Sequence, residues 1–72
     1  MQHNRRMEIL LNGQARRIDA GMRVADLLAV ELLGDRRVAV EVNGQIIPRG
    51  RHGEHVLQAG DRVEIVHALG GG

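Results

Sequence analysis

From Met7 the chain reads Met-Glu-Ile-Leu-Leu, then Asn12-Gly13, then Gln-Ala-Arg-Arg-Ile-Asp. Asn-Gly supplies the two positive-φ residues of a type I′ turn, so two short runs around it predict a β-hairpin. Gly21 ends that unit. Val24, Leu27, Leu28 and Leu32 then fall at offsets 0, 3, 4 and 8, the apolar stripe of an amphipathic helix. Gly34 is placed to close this helix as its C-cap glycine. Beyond the polar connector Asp35-Arg36-Arg37, Val38, Val40 and Val42 alternate with Ala39, Glu41 and Asn43, the period of a half-buried strand. A second Asn-Gly at 43 and 44 turns the chain into Gln45-Ile46-Ile47, which Pro48 limits to a short edge strand. Arg49 to Gly53 reads as irregular loop, His55 to Gln58 as a brief ordered piece, and Ala59-Gly60-Asp61 as a turn. Arg62 to Val66 is a last strand, with Val63 and Ile65 on one face.

Hairpin, helix, strand, short strand, strand is an α+β order, with one helix available to cover one face of a sheet. A right-handed crossover through that helix would return the later strands beside the first. The polar residues 1–6 precede the second Met and are expected to be a disordered extension. One folded unit is expected from 7 to 66, and 67–72 as a tail.

Composition sharpens this picture mainly through what is missing. The 72 residues include no Cys, Trp, Tyr or Phe, and all 10 basic residues are Arg. That excludes disulfides, thiolate metal sites, thiol catalysis, Schiff-base chemistry and aromatic base-stacking platforms. The nominal pI of 9.1 follows from the same absences, since hardly any group titrates between His and Arg. With 10 Arg against 9 acidic residues the net charge is +1, which makes no electrostatic case for nucleic acid or a membrane surface. The N-terminus lacks the apolar stretch of a signal peptide and no run approaches a membrane span, so a cytoplasmic protein is expected.

The chain ends Val66-His67-Ala68-Leu69-Gly70-Gly71-Gly72. Glycine loses the most backbone entropy on ordering, so the triplet is expected to project as a flexible tail rather than add to the fold. Without Cβ atoms, such a tail can thread a narrow channel and present its α-carboxylate to attack. A free carboxylate is a poor acyl donor, but once joined to AMP its carbonyl can be attacked by a sulfur nucleophile, giving a thiocarboxylate. Terminal glycines are also common as frayed ends, and the triplet alone does not decide between the two.

The segments Val-Ala-Val-Glu-Val-Asn-Gly-Gln-Ile-Ile-Pro-Arg at 38–49, Gly-Asp-Arg-Val-Glu-Ile-Val at 60–66 and the diglycine end resemble the ThiS family, sulfur carriers of thiamine biosynthesis. The resemblance runs from Met7 to Gly72. It implies a ubiquitin-like β-grasp, a mixed sheet of four to five strands on one helix. It also implies that Gly72 is adenylated and converted to a thiocarboxylate, that Gly71 completes the diglycine, and that Gly70, Leu69, Ala68 and His67 form the partner-binding tail. A ThiF-type adenylyltransferase, a cysteine desulfurase as sulfur source and the thiazole synthase ThiG are the implied partners. ATP and Mg²⁺ would belong to the activating enzyme, leaving this chain a monomeric carrier and substrate with no cofactor and no catalytic residue. Arg23 departs from the pattern where relatives often have Thr or Ser, removing the usual N-cap side chain and weakening the helix start. His52 departs where many relatives carry Trp.

Other readings stay open at this level. The sulfur could serve molybdopterin, cysteine or siderophore assembly, the tail could be joined to lysines of other proteins, or the domain could be a plain interaction module. His52 and His55 flank Glu54, but two histidines beside glycines make a solvated loop rather than a metal site. His67 begins the tail or is the last outward residue of the strand. The Arg pairs at 16–17 and 36–37 solvate their hairpin and loop or form an acidic-partner patch. Leu10, Val30, Leu33 and Val66 fall off the periodic faces, as a docking patch or as extra core.

Overall fold

The computed structural model describes residues 5–34 and 36–67. Strands β1 (Arg6–Leu11) and β2 (Gln14–Asp19) form the first hairpin, α1 (Val24–Val30) follows, and β3 (Val38–Val42) and β4 (Gln45–Ile47) form the second hairpin. A 3₁₀ turn at Arg49–Arg51 leads through the following loop to β5 (Arg62–His67). β1 thus begins one residue before the expected boundary, with Arg6 opposite Asp19, and β5 continues through His67, which sits opposite Val38.

Both hairpins turn as their sequences require. Asn12 and Gly13 have φ of 50° and 84°, and Asn43 and Gly44 have 53° and 85°, the left-handed pairs of type I′ turns. The strand order is β2-β1-β5-β3-β4. β5 runs parallel to β1 and antiparallel to β3, so the last strand in sequence occupies the centre of the sheet. This is the ubiquitin-like β-grasp, with one helix across one face of a five-stranded mixed sheet.

The core is wholly aliphatic. Ile9, Leu11, Ile18, Val40, Val42, Ile47, Val63 and Ile65 project from one face of the sheet onto Val24, Leu27 and Leu28 of α1, and Leu57 closes one end. Leu27, Val24, Val40 and Val63 are at most 1% exposed, and each such side chain contributes about 1.5–3 kcal/mol of burial.

The end of α1 differs from the sequence expectation. The helix stops at Val30, with Glu31 as C-cap, and Leu32 adopts φ 63° while 83% exposed. The Leu32 N–H donates to the Ala29 carbonyl and the Leu33 N–H to the Leu28 carbonyl, at 3.0 and 2.7 Å. That pair of bonds is the Schellman motif, with Leu32 in the left-handed position. Its accompanying contact brings half-buried Leu33, in place of Leu32, back onto the core, and Gly34, whose φ is not left-handed, caps nothing.

The start of α1 falls at Val24, as the sequence predicts. Arg23 supplies no side-chain cap, yet the first N–H groups do not go unmatched. Val24 and Ala25 donate to the carbonyls of His55 and His52, at 3.0 and 2.8 Å. Asp26 accepts from the Arg23 N–H at 2.9 Å, and the Leu57 N–H donates to the Met22 carbonyl. The loop after β4 therefore caps the helix through its backbone.

Candidate functional site

The candidate site is the C-terminal segment, and the described structure shows how it is launched. Ala68, Leu69, Gly70, Gly71 and Gly72, like residues 1–4, lie outside the described residues. His67, the last described residue of the predicted set, is the exposed end of β5 rather than the start of a separate tail.

Side chains from both Asn-Gly turns clamp β5 into place. On the β3 side, the Asn43 N–H donates to the Arg62 carbonyl at 2.8 Å, and Asn43 Oδ1 accepts the Arg62 N–H at 2.9 Å. Asn43 Nδ2 donates to Asp61 Oδ1 at 2.9 Å, and Asp61 Oδ2 accepts the Gln58 N–H at 2.8 Å. Asp61 is buried, so both its carboxylate oxygens are matched where water has little access. On the β1 side, the Asn12 N–H donates to the Val63 carbonyl and Asn12 Oδ1 accepts the Ile65 N–H, both at 2.8 Å. Asn12, Asn43 and Asp61 are the positioning residues that sequence reasoning missed. Their signal in the sequence is the repeated Asn-Gly, whose asparagines both set the turns and hold β5.

The sheet face away from α1 is partly apolar near this exit. Val66 is 59% exposed opposite Ala39, and Ile46 is 68% exposed opposite Glu41, which itself faces Glu64 across β3 and β5. Leu10 and Val30 are also exposed, whereas Leu33 packs on the core. The off-pattern residues thus divide between surface and core rather than forming one group.

The loop histidines separate as well. His52 is buried, not solvated as expected, because its Nε2 lies 3.0 Å from the Ile47 carbonyl and its own carbonyl caps α1. His55 is half-buried. Among the described residues no group of three His, Asp or Glu could hold a metal ion. A surface cleft of about 420 Å³ is lined by Ile47, Pro48, Arg51, Glu54, His55 and Val56, none of them from β5. Arg16 forms an ion pair with Glu31, the C-cap of α1, while Arg17, Arg36 and Arg37 face solvent. No described helix is long and apolar enough to cross a membrane.

Comparison with known proteins gives one consistent result. A sequence model of the ThiS family matches residues 9–72. The sulfur carrier protein ThiS of Escherichia coli is 38% identical over 68 residues, covering 92% of this chain and 100% of that protein. Thiazole synthases of Magnetococcus marinus and Paramagnetospirillum magneticum are 41% and 38% identical over 66 residues, covering 92% of this chain. The chain spans about a fifth of their length, 20% in each case. The crystal structure of the thiamine biosynthesis protein ThiS from Geobacter metallireducens superposes with a TM-score of 0.79 at 29% identity, covering 92% of this chain and 100% of that one.

Proposed function

The chain belongs to the ThiS family, and on that premise we propose that its Gly72 carboxylate is the group that accepts and delivers sulfur for thiazole formation in thiamine biosynthesis. The protein is a sulfur carrier and a substrate of other enzymes, not itself a catalyst. The observation that supports this most strongly is the family match, which continues through Gly72 on a chain that folds as a β-grasp and holds its last strand at the centre of the sheet.

The chemistry follows from the composition. With no Cys and no Lys, the chain has no side-chain thiol or amine to carry an acyl group or sulfur. An activating enzyme of the ThiF type joins the Gly72 carboxylate to AMP, releasing pyrophosphate from ATP; a desulfurase-derived persulfide then attacks the carbonyl and displaces AMP, and a thiol reductant cleaves the acyl disulfide so formed, becoming the disulfide partner of the donor and leaving the thiocarboxylate. ATP and Mg²⁺ belong to that enzyme, the sulfur comes from a cysteine desulfurase, and a cytoplasmic setting supplies all of them. A thiazole synthase receives the sulfur, a reading supported by the two relatives of that name. His67 to Gly71 carry the carboxylate to each partner. Rigid β5 sets the direction and the glycines remove steric bulk.

Incubation of the full chain with ATP, the activating enzyme and a sulfur donor is expected to raise the intact mass by one oxygen replaced with sulfur. A chain lacking Gly72 is expected to show no such gain. Sulfur uptake by the truncated chain would overturn the C-terminal mechanism.

A further inference from the structure

The two edges of β5 are unequally covered. β3 pairs along one edge from Val63 to His67. β1 pairs along the other only at Arg62 and Val63, because the chain turns away at Asn12-Gly13. Successive residues of a strand point their backbone groups to alternate edges. Arg62 bonds to Asn43 on the β3 side, whereas the Val63 carbonyl and the Ile65 N–H bond to Asn12 on the β1 side. The next groups on the β1 side are the Ile65 carbonyl and the N–H and carbonyl of His67. Among the described residues no strand lies against them. The central strand thus has an open half-edge immediately before Ala68, and the Asn12 amide marks where it begins.

We propose that this half-edge receives an extended segment of thiazole synthase, which adds as a strand beside Ile65 to His67 while the enzyme takes the C-terminal carboxylate. The inference rests on the sulfur-carrier reading. Residues 68–72 span at most about 18 Å even when fully extended, so an enzyme that draws Gly72 into its interior lies against the exit of β5. Backbone groups covered there lose water, and each left unmatched is costly. An added strand matches them together, with hydrogen bonds supplying affinity. Thiazole synthase is the occupant because two relatives of that name contain a segment similar to this chain within one longer polypeptide, which keeps carrier and enzyme surfaces together.

The test is amide hydrogen exchange, followed by NMR on the isotope-labelled full chain, alone and with the thiazole synthase of the same genome. The His67 amide is expected to slow at least about tenfold in the complex, while those of Glu64 and Val66, on the β3 side, change little. His67→Pro removes the N–H on the open edge and none on the β3 edge. It is expected to weaken binding at least about tenfold relative to His67→Ala, with both variants melting within a few degrees of each other. An unslowed His67 amide in a complex that forms, or equal binding by the two variants, overturns the proposal. The exchange measurement needs no substitution and stands if His67→Pro fails to fold. Protection of His67 in the chain alone, with a dimer in sedimentation, would assign the edge to a second copy and also overturn it. Sulfur loading of the same sample is read by intact mass. A chain that loads sulfur and binds without protection loses only the strand addition, whereas one that does neither loses both readings.

Discussion

Leu32 offers a direct test of where α1 ends. A non-glycine residue in the left-handed region costs about 1–2 kcal/mol, and Leu32 holds φ 63° while 83% exposed, so its side chain returns little by burial. Leu32→Gly removes that cost and adds about 0.5–1 kcal/mol of unfolded-state entropy against folding. The net expectation is a stabilisation of about 0.5–1 kcal/mol, or roughly 2–8 °C in Tm for a domain of this size. Gly34→Ala is its counterpart. Gly34 is not left-handed, and an added Cβ would meet only the Ala29 Cα at 4.0 Å, so this substitution is expected to stabilise by about 0.4–1 kcal/mol through the unfolded chain. A helix running through Leu32 to a capping Gly34 reverses both signs. Glycine in the helix interior would cost about 0.8–1 kcal/mol, and alanine at a left-handed cap would cost more than it returns. Without Trp or Tyr to fluoresce, the assay is urea unfolding followed by far-ultraviolet circular dichroism. Destabilisation by both substitutions would refute the Schellman assignment.

Three further outcomes test the rest of the framework. Asp61→Ala strands the Gln58 N–H and the Asn43 amide, for an expected loss of about 1–3 kcal/mol; a double-mutant cycle with Asn43→Ala should give a coupling of at least about 0.5 kcal/mol, and strict additivity in urea melts would show that the clamp does not act as a unit. Leu27→Ala, at a site 1% exposed, is expected to cost about 2–5 kcal/mol, a large part of a small domain's stability, and a loss below 1 kcal/mol in the same melts would contradict the packing described. Deleting Gly72 is expected to leave Tm unchanged within error while abolishing sulfur loading by intact mass, and a clear fall in Tm would mean that the terminus contributes to the fold.

Local signals are legible where one interaction dominates. Asn-Gly forces a type I′ turn almost regardless of context, and the alternating valines of β3 leave one choice of buried face. These are why both hairpins, the helix start at Val24 and the α+β order were legible. The C-terminal diglycine and the Val-Asn-Gly-x-Ile-x-Pro-Arg run pointed to the carrier family for a related reason, since chemistry confined to a terminus leaves its mark in a few adjacent residues. The misplaced features depend on how the chain folds back on itself, which no hydrophobic period records. Leu32 and Leu33 compete for one core position, and the outcome depends on how the chain reverses over Leu28. The glycines beside His52 predict a solvated ring, but the Ile47 carbonyl, five residues back, accounts for its ring nitrogen.

What the sequence determined by itself was the inventory: aliphatic periods, two tight turns, and a chain without Cys, Lys or aromatic side chains, so that the chemistry proposed for it rests on its carboxyl end. What only the tertiary structure decided was the mounting of that end. β5 lies between β1 and β3, held by Asn12 on one side and by Asn43 with Asp61 on the other, residues as far as 53 positions apart in the chain. No local pattern encodes such contacts, because they exist only once the crossover has placed the last strand at the centre of the sheet. The same placement leaves half of one β5 edge open next to the tail.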